Sequence, residues 1–376
     1  MAWRTTKVKD ERVKFVVAVS RREKNFTQVC EEFGVARTTG YRWWRRYQEQ
    51  GVAGIEERSR RPRRSPGRTS AEIERRVVEM RWERPDWGAR KIHYRLDQQG
   101  VHLPSATIHR ILLRHDLVRN QDRHAPAVRR FEREEPNQLW QMDFKGPKGW
   151  DHPVGPLSVL DDHSRYLPAL QDIGNTSEAG VREALQQTFL ECGVPEQMLM
   201  DHGCPWWNGQ AARGWTKLSV WLMEQDIQLL FSGYRHPQTQ GKVERWHRSL
   251  TAALLRRGTP SPAQRQPWLN AFRYEYNHLR PHEALGMKTP SQVWSSSARR
   301  YQTHPAPWLY PRGYATAEVQ ASGQVRVEGQ RYWVSSSLIG QQVGLIEAAG
   351  RLLIYFRRTL VQEVDLRRPD TSEAQA

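Results

Sequence analysis

The sequence predicts a multidomain chain, all-α at its N-terminal end, α/β in its middle and closed by a small β-barrel. Three observations predict this. Helical spacing around a glycine turn fills the first fifty residues, short β-rich runs alternate with longer helical ones between 137 and 260, and several short strands follow from Gly313 to Leu366. At 376 residues the chain exceeds the usual single-domain size and is long enough to bury a real core.

Charge narrows the partner. Lys and Arg number 58 against 41 Asp and Glu, a net charge of +17, and residues 1 to 136 hold 32 basic against 19 acidic side chains. A surplus of that size favours a polyanion, because neutralising phosphates releases condensed counterions. An anionic membrane would attract the same charge, but no apolar run of about 18 residues exists and mean hydropathy is −0.79. The N-terminus shows neither the apolar stretch nor the small-residue site of a secretory signal, so a cytoplasmic protein is expected. Cys30, Cys192 and Cys204 are too few and too far apart for a disulfide framework or a paired-thiolate zinc site, and are expected to be reduced.

Residues 1–57 read as a helix-turn-helix domain. Val13, Val16 and Val17 mark a first helix, Thr27 to Phe33 a second, Gly34 the turn, and a third helix runs to about Glu49. Trp43, Trp44 and Tyr47 supply its expected buried side. Thr38, Thr39 and Arg42 then fall at its exposed start, where such a helix meets base edges, with Arg45 further along for the backbone. Residues 58–68, RSRRPRRSPGR, hold six arginines, two prolines and no acid, which makes a basic linker; Arg60, Arg61, Arg63 and Arg64 suit the DNA backbone or a narrow minor groove. Residues 69–125 form a second helical DNA-binding unit, with Thr69 and Glu72 as a capping box, Ile73, Val77 and Met80 on one face, and a second recognition helix with His109 and Arg110.

Residues 136–260 read as three antiparallel strands (LWQMDFKG, PLSVLDD, YLPALQDI), a helix from about Thr176 to Glu191, the strand QMLMD, a helix through Trp215 to Met223, the strand IQLLF, and a helix from about Thr239. That order, with a mixed five-stranded sheet, is the layout of the ribonuclease H-like fold. A helical extension covers 261–300, and the small β-barrel 310–368.

Three acids fall where these elements converge: Asp143 in the first strand, Asp201 just past the fourth, Glu244 in the last helix. Clustered carboxylates are hard oxygen ligands that are costly without cations, and Mg²⁺ is the natural occupant. Two ions about 3.5–4 Å apart can activate an attacking oxygen and stabilise a leaving one. Around Glu244, in HPQTQGKVERWHRSL, Gln240, Glu244 and Arg248 share one helical face while Lys242, Arg245 and Ser249 line its neighbour. Such a helix suits metal binding by Glu244 and phosphate binding by Lys242, Arg245 and Arg248.

WQMDFKG, LMDHGCPW, HPQTQGKVERWHRSL and YNHLRPHEALGMKTPSQVW resemble the catalytic core of bacterial insertion-sequence transposases of the DDE, or retroviral-integrase, superfamily. The resemblance spans nearly the whole chain. It implies that Asp143, Asp201 and Glu244 hold two Mg²⁺ ions, with Mn²⁺ substituting, and that the reaction is hydrolysis at the element's terminal repeats followed by attack of the freed 3′-hydroxyl on double-stranded target DNA. It further implies a nucleoid-associated multimer bridging two ends. Some members act with a partner ATPase, and this chain has no phosphate-binding loop of its own. Two features depart from the pattern: His202 stands where the family usually has Asn, and Asp201 and Glu244 are 43 residues apart, more than is common, with the stretch Trp206 to Trp215 as the extra length. Trp206 and Trp207 suit either base stacking or packing. Asp161 and Asp162 read as turn residues. A transcriptional regulator, a non-mobile nuclease and a structural adaptor are the rival readings, the regulator disfavoured because an inert core has no use for clustered carboxylates.

Overall fold

A computed structural model describes residues 8–56, 67–118, 132–208, 214–232 and 241–367. The chain divides into two compact units, Met1–Thr69 and Ser70–Ala376.

The first unit holds α1 (Val8–Arg21), α2 (Phe26–Glu32) and α3 (Arg37–Gln50), closed by a 3₁₀ turn over Gly51–Ile55. Asn25 and Gln28 form a reciprocal capping box at the start of α2, and Gly34 makes the turn at φ +61°. Gly40 lets α3 approach closely: a Cβ there would lie 2.6 Å from Cys30 Sγ. Trp44 and Tyr47 pack on the core of Phe15, Val16, Val29, Cys30 and Ile55 as expected. Trp43 does not. Its ring is covered instead by the Arg12 guanidinium, 3.9 Å from the ring centroid, an arrangement that suits an aromatic face at the edge of a small core. Thr38, Arg42 and Arg45 are exposed and Thr39 is half-buried. Arg60, Arg61, Arg63 and Arg64 lie outside the described residues.

The second unit opens with α4 (Ala71–Glu83), α5 (Ala89–Gln98) and α6 (Ser105–Arg114) around Val77, Trp87, Ile92, Leu96, Ile108 and Ile111. Ser70, not Thr69, caps α4, accepting from the Ile73 amide; both residue types cap well, and sequence does not choose between neighbours.

The central region comprises β1 (Trp140–Phe144), β2 (Leu157–Asp161) and β3 (Ala169–Gln171), then α7 (Glu178–Cys192), β4 (Gln197–Met200), a short hairpin of β5 (Trp207–Asn208) and β6 (Gly214–Trp215), α8 (Lys217–Glu224), β7 (Gln228–Phe231) and α9 (Gly241–Arg257). Strand order is β3-β2-β1-β4-β7, with β1 to β3 antiparallel and β1–β4 and β4–β7 parallel. This is the mixed sheet of the ribonuclease H-like fold. Because side chains alternate along a strand, Trp140, Met142, Leu157 and Val159 face α7 and α8, whereas Leu160 and Leu170 join α9 and α10 (Arg265–Tyr274) on the other side. Asp143 therefore falls on the α9 side.

The C-terminal strands are β8 (Ala315–Glu318), β9 (Gln324–Val327), β10 (Gln330–Trp333), β11 (Gln342–Ala348), β12 (Arg351–Phe356) and β13 (Thr359–Asp365). Among the described residues they do not close into the expected barrel: β8-β11-β12-β13 form an open antiparallel sheet, and β9-β10 a separate hairpin. At the outer edge of β13, Gln362 Nε2 donates to the Trp333 carbonyl at 3.2 Å, where a barrel would need a backbone ladder. No described helix is long and apolar enough to cross a membrane.

Candidate active site

Parallel pairing sets Trp140 beside Met198 and Gln141 beside Leu199. The same register, continued two residues, brings Asp143 alongside Asp201, and α9 presents Glu244 from its first turn. Asp143 feels the other two acids. Burial, then the charges of Asp201 and Glu244, push the Asp143 carboxyl up to about 7, although the Phe144 amide pulls the other way.

Asp201 is held from its own loop. Trp206 Nε1 donates to its Oδ1 at 2.9 Å and to its carbonyl at 3.1 Å, and the Gly203 amide donates to the same Oδ1 at 3.1 Å. A Cβ on Gly203 would come within 2.9 Å of that oxygen. Trp206 is itself fixed, buried and stacked on Phe144 with ring centroids 5.5 Å apart and planes 11° from parallel. It thus packs rather than offering a face to bases. His202, the residue that departs from the family's Asn, lies against Trp207 and Phe231, and it is Trp206 that orients the carboxylate.

Asp143 has a neighbour that sequence reasoning missed. Ser158, paired with Asp143 across β1 and β2, donates from Oγ to the Asp143 carbonyl at 2.9 Å. Its oxygen therefore accepts from His247 Nε2 at 3.0 Å, leaving Nδ1 to face Asp143 Oδ2 at 3.8 Å. Burial and the nearby Lys145 ammonium push the His247 imidazole down to about 3, so it is neutral and does not offset the acids. Its position three residues after Glu244 was the available signal, since i and i+3 share a helical face.

Lys242 is placed differently from the expectation that grouped it with Arg245 and Arg248. Its ammonium sits 2.6 Å from Asp162 Oδ1 and 3.0 Å from the Asp162 carbonyl. Asp162 is fully buried and also accepts from Gln141 Nε2 and the Arg133 amide; an enclosed carboxylate requires such partners. Asp161 is likewise a buried hub, accepting from Ser164 and from the Asn137 amide, so both exceed the turn role read from sequence. Arg245 and Arg248 are exposed. Gln240 lies outside the described residues.

Among the described residues no three His, Cys, Asp or Glu side chains already converge as a metal cage. The donor set nonetheless fits divalent cations: all ligands are hard oxygens, and no described ion pair neutralises Asp201 or Glu244. Mg²⁺ keeps several waters and takes one or two carboxylates plus substrate phosphates, so a complete protein cage is not required.

An integrase core domain model matches residues 225–290, a stretch that includes Glu244 and the 276–290 segment. A helix-turn-helix domain matches 11–63 and a homeodomain-like domain 39–112, which supports DNA binding. The chain is 25% identical over 240 residues to an uncharacterised protein of insertion element IS407 from Burkholderia multivorans, covering 62% of this chain and 83% of that one. It is 21% identical over 271 residues to the transposase for transposon Tn552 of Staphylococcus aureus, covering 62% of this chain and about half, 53%, of that relative. Together these matches support a likeness to the insertion-sequence transposases of the DDE, or retroviral-integrase, superfamily. Solved structures that overlap it include a simian T-cell lymphotropic virus intasome (17% identity, TM-score 0.39, 77% of this chain and 96% of that one) and the HTLV-2 integrase catalytic core with magnesium (18%, TM-score 0.33, 43% and 97%). At these scores they add nothing to the assignment, which rests on the sequence matches. The ATPase partner finds no support among these relatives.

Proposed function

We propose that the chain is a DNA transposase that hydrolyses DNA at the terminal repeats of a mobile element, exposes a 3′-hydroxyl and joins it to target DNA, with Asp143, Asp201 and Glu244 holding two Mg²⁺ ions, or Mn²⁺ in their place. The observation that carries this reading is the convergence of acids from β1, the end of β4 and α9, where burial first, and then the charges of Asp201 and Glu244, push Asp143 up to about 7. Bound cations would supply activation of the attacking oxygen and stabilisation of the leaving one. The protein's own part is placement. Trp206 and the Gly203 amide fix one oxygen of Asp201, leaving Oδ2 for a ligand. Neutral His247 and Ser158 tie α9 to β1, which sets Glu244 against Asp143. Arg245 and Arg248 meet phosphates of the reacting strand, while Thr38, Thr39, Arg42 and Arg45, with the linker arginines 60, 61, 63 and 64, recognise the element end. Coordinated joining of two ends calls for a multimer.

The test is strand transfer of a labelled duplex bearing the element's end into plasmid DNA with Mg²⁺, wild type against Glu244→Gln. Joined product that disappears in the variant is the expected result. Product of equal yield from both proteins would overturn the assignment of the acids.

A further inference from the structure

The segment that starts at Tyr276 packs against α9. Asn277 brackets Leu167, accepting from its amide at 2.9 Å and donating to its carbonyl at 3.1 Å. Arg280 then spans two elements: Nη1 pairs with Asp86, in the turn before α5, and Nη2 reaches Ser249 Oγ on α9 at 3.3 Å. Ser249 and Arg245 are four residues apart and share a helical face. Arg280 thus joins the second helical unit to the face of α9 that begins beside Glu244.

Two cations near this bridge have no anion among the described residues. The side chain of Lys91, half-buried in the first turn of α5, makes no hydrogen bond or ion pair among the described residues, and neither does that of the exposed Arg245. The neighbouring acids are engaged elsewhere: Asp86 with Arg280, Glu283 with Arg90 at 3.5 Å, and Glu275 with Arg84 at 3.1 Å and Arg257 at 2.8 Å. His282 Nε2, enclosed beside the Tyr276 ring, also lacks a partner. Burial and then the charge of Arg280, with a smaller push from Arg245, lower the Lys91 ammonium to about 8 against the opposing pull of Asp86 and Glu283. A cation held partly out of water among other cations is destabilising until an anion joins it.

We propose that Lys91 and Arg245, backed by Arg280, bind one phosphate of the DNA backbone, so that the second helical unit and the catalytic helix grip the same strand beside the acids. An ammonium acts as a point charge and a guanidinium as a planar fork, a pairing suited to one tetrahedral anion. The inference rests on the transposase reading and adds to it a role for the 276–294 segment, which is to hold the two cations together. Lys91, an ordinary helix residue by sequence, becomes a DNA contact.

The experiment measures binding of the full-length protein to a short duplex of arbitrary sequence across a salt series, for wild type, Lys91→Gln, Arg245→Gln and the double variant. Each single variant is expected to lower the slope of log affinity against log salt by about 1, and the double variant by about 1 rather than about 2, because both hold one phosphate. Lys91→Gln is also expected to raise the unfolding temperature while it weakens binding, a combination that a merely structural lysine does not give. Unchanged slopes, or additive losses in the double variant, would overturn the shared site. Stabilisation of wild type by inorganic phosphate that vanishes in Arg245→Gln would overturn the backbone assignment in favour of a free phosphoanion. Arg245 is exposed, so its variant reports on binding even if Lys91→Gln were to misfold. Failure of wild type to bind duplex DNA at all would sink the transposase reading itself, whereas strand transfer with intact slopes would sink only this site.

Discussion

Replacing Asp143 by Asn is expected to stabilise the metal-free protein, and to do so only above acidic pH. The folded-state carboxyl is raised from 3.8 to about 7, so the folded protein holds its proton more tightly than the unfolded chain. The cost of ionising it is therefore absent below about pH 4, grows between about pH 4 and 7, and is complete above. At 1.36 kcal/mol per pH unit the three-unit difference amounts to about 4 kcal/mol, an upper bound because the side chain is 24% exposed. Water access reduces this, and a gain of about 1–3 kcal/mol in the variant is the working expectation. For a unit of this size that is several degrees in unfolding temperature, at roughly 2–4 °C per kcal/mol. Thermal unfolding followed by tryptophan fluorescence, with chelator present, at about pH 5 and about pH 8.5, reads the effect directly. Mg²⁺ should stabilise wild type more at the higher pH and leave the Asn variant unmoved, since the cation relieves the repulsion the variant already lacks. A variant less stable than wild type at the higher pH, or an equal difference at both, would refute the claim that burial and the neighbouring acids together raise Asp143.

Trp206→Phe keeps the ring stacked on Phe144 but removes the donor to Asp201; a drop of about 10–100-fold in strand-transfer rate or metal affinity is expected, with little change in unfolding temperature, and a variant of wild-type rate would show that Gly203 alone orients the carboxylate. Lys242→Met leaves the buried Asp162 carboxylate without its counter-ion, so urea unfolding should show a loss of about 3–5 kcal/mol; a loss below about 1 kcal/mol would mean that Lys242 is free to act as the surface contact its sequence position suggests.

The sheet was legible because its strands are short, apolar and alternating, and because an Asp inside WQMDF contradicts the strand preference unless it has a task. The helix that carries Glu244 was legible from the segregation of acid and base onto adjacent faces. What stabilises these acids was not. Trp206 reads as packing, and only the fold of its loop reveals that its indole N–H is aimed at Asp201. The partners of Lys242 and His247 lie 80 and 89 residues away in sequence, beyond any local pattern. Barrel closure was not legible for a related reason: alternation along a strand is identical in an open sheet, as found among the described residues, and a closed one, and closure depends on whether the last edge finds a backbone partner.

The open C-terminal sheet is soldered to the rest of its unit. Val325, Leu338, Val343 and Ile354 belong to the same apolar cluster as Phe189 and Trp221, and polar ties cross the seam: Trp215 Nε1 to the Val361 carbonyl at 3.0 Å, Ser337 Oγ to the Trp215 carbonyl at 2.9 Å, and Gln341 Nε2 to Glu224 at 2.9 Å. A gene shortened ahead of β8 would remove 11 of that cluster's 32 buried residues and bare the apolar surface they cover, so a fragment ending near residue 300 should aggregate rather than fold. The central sheet and the tail are thus bound to be inherited as a single block, because neither buries its apolar face without the other.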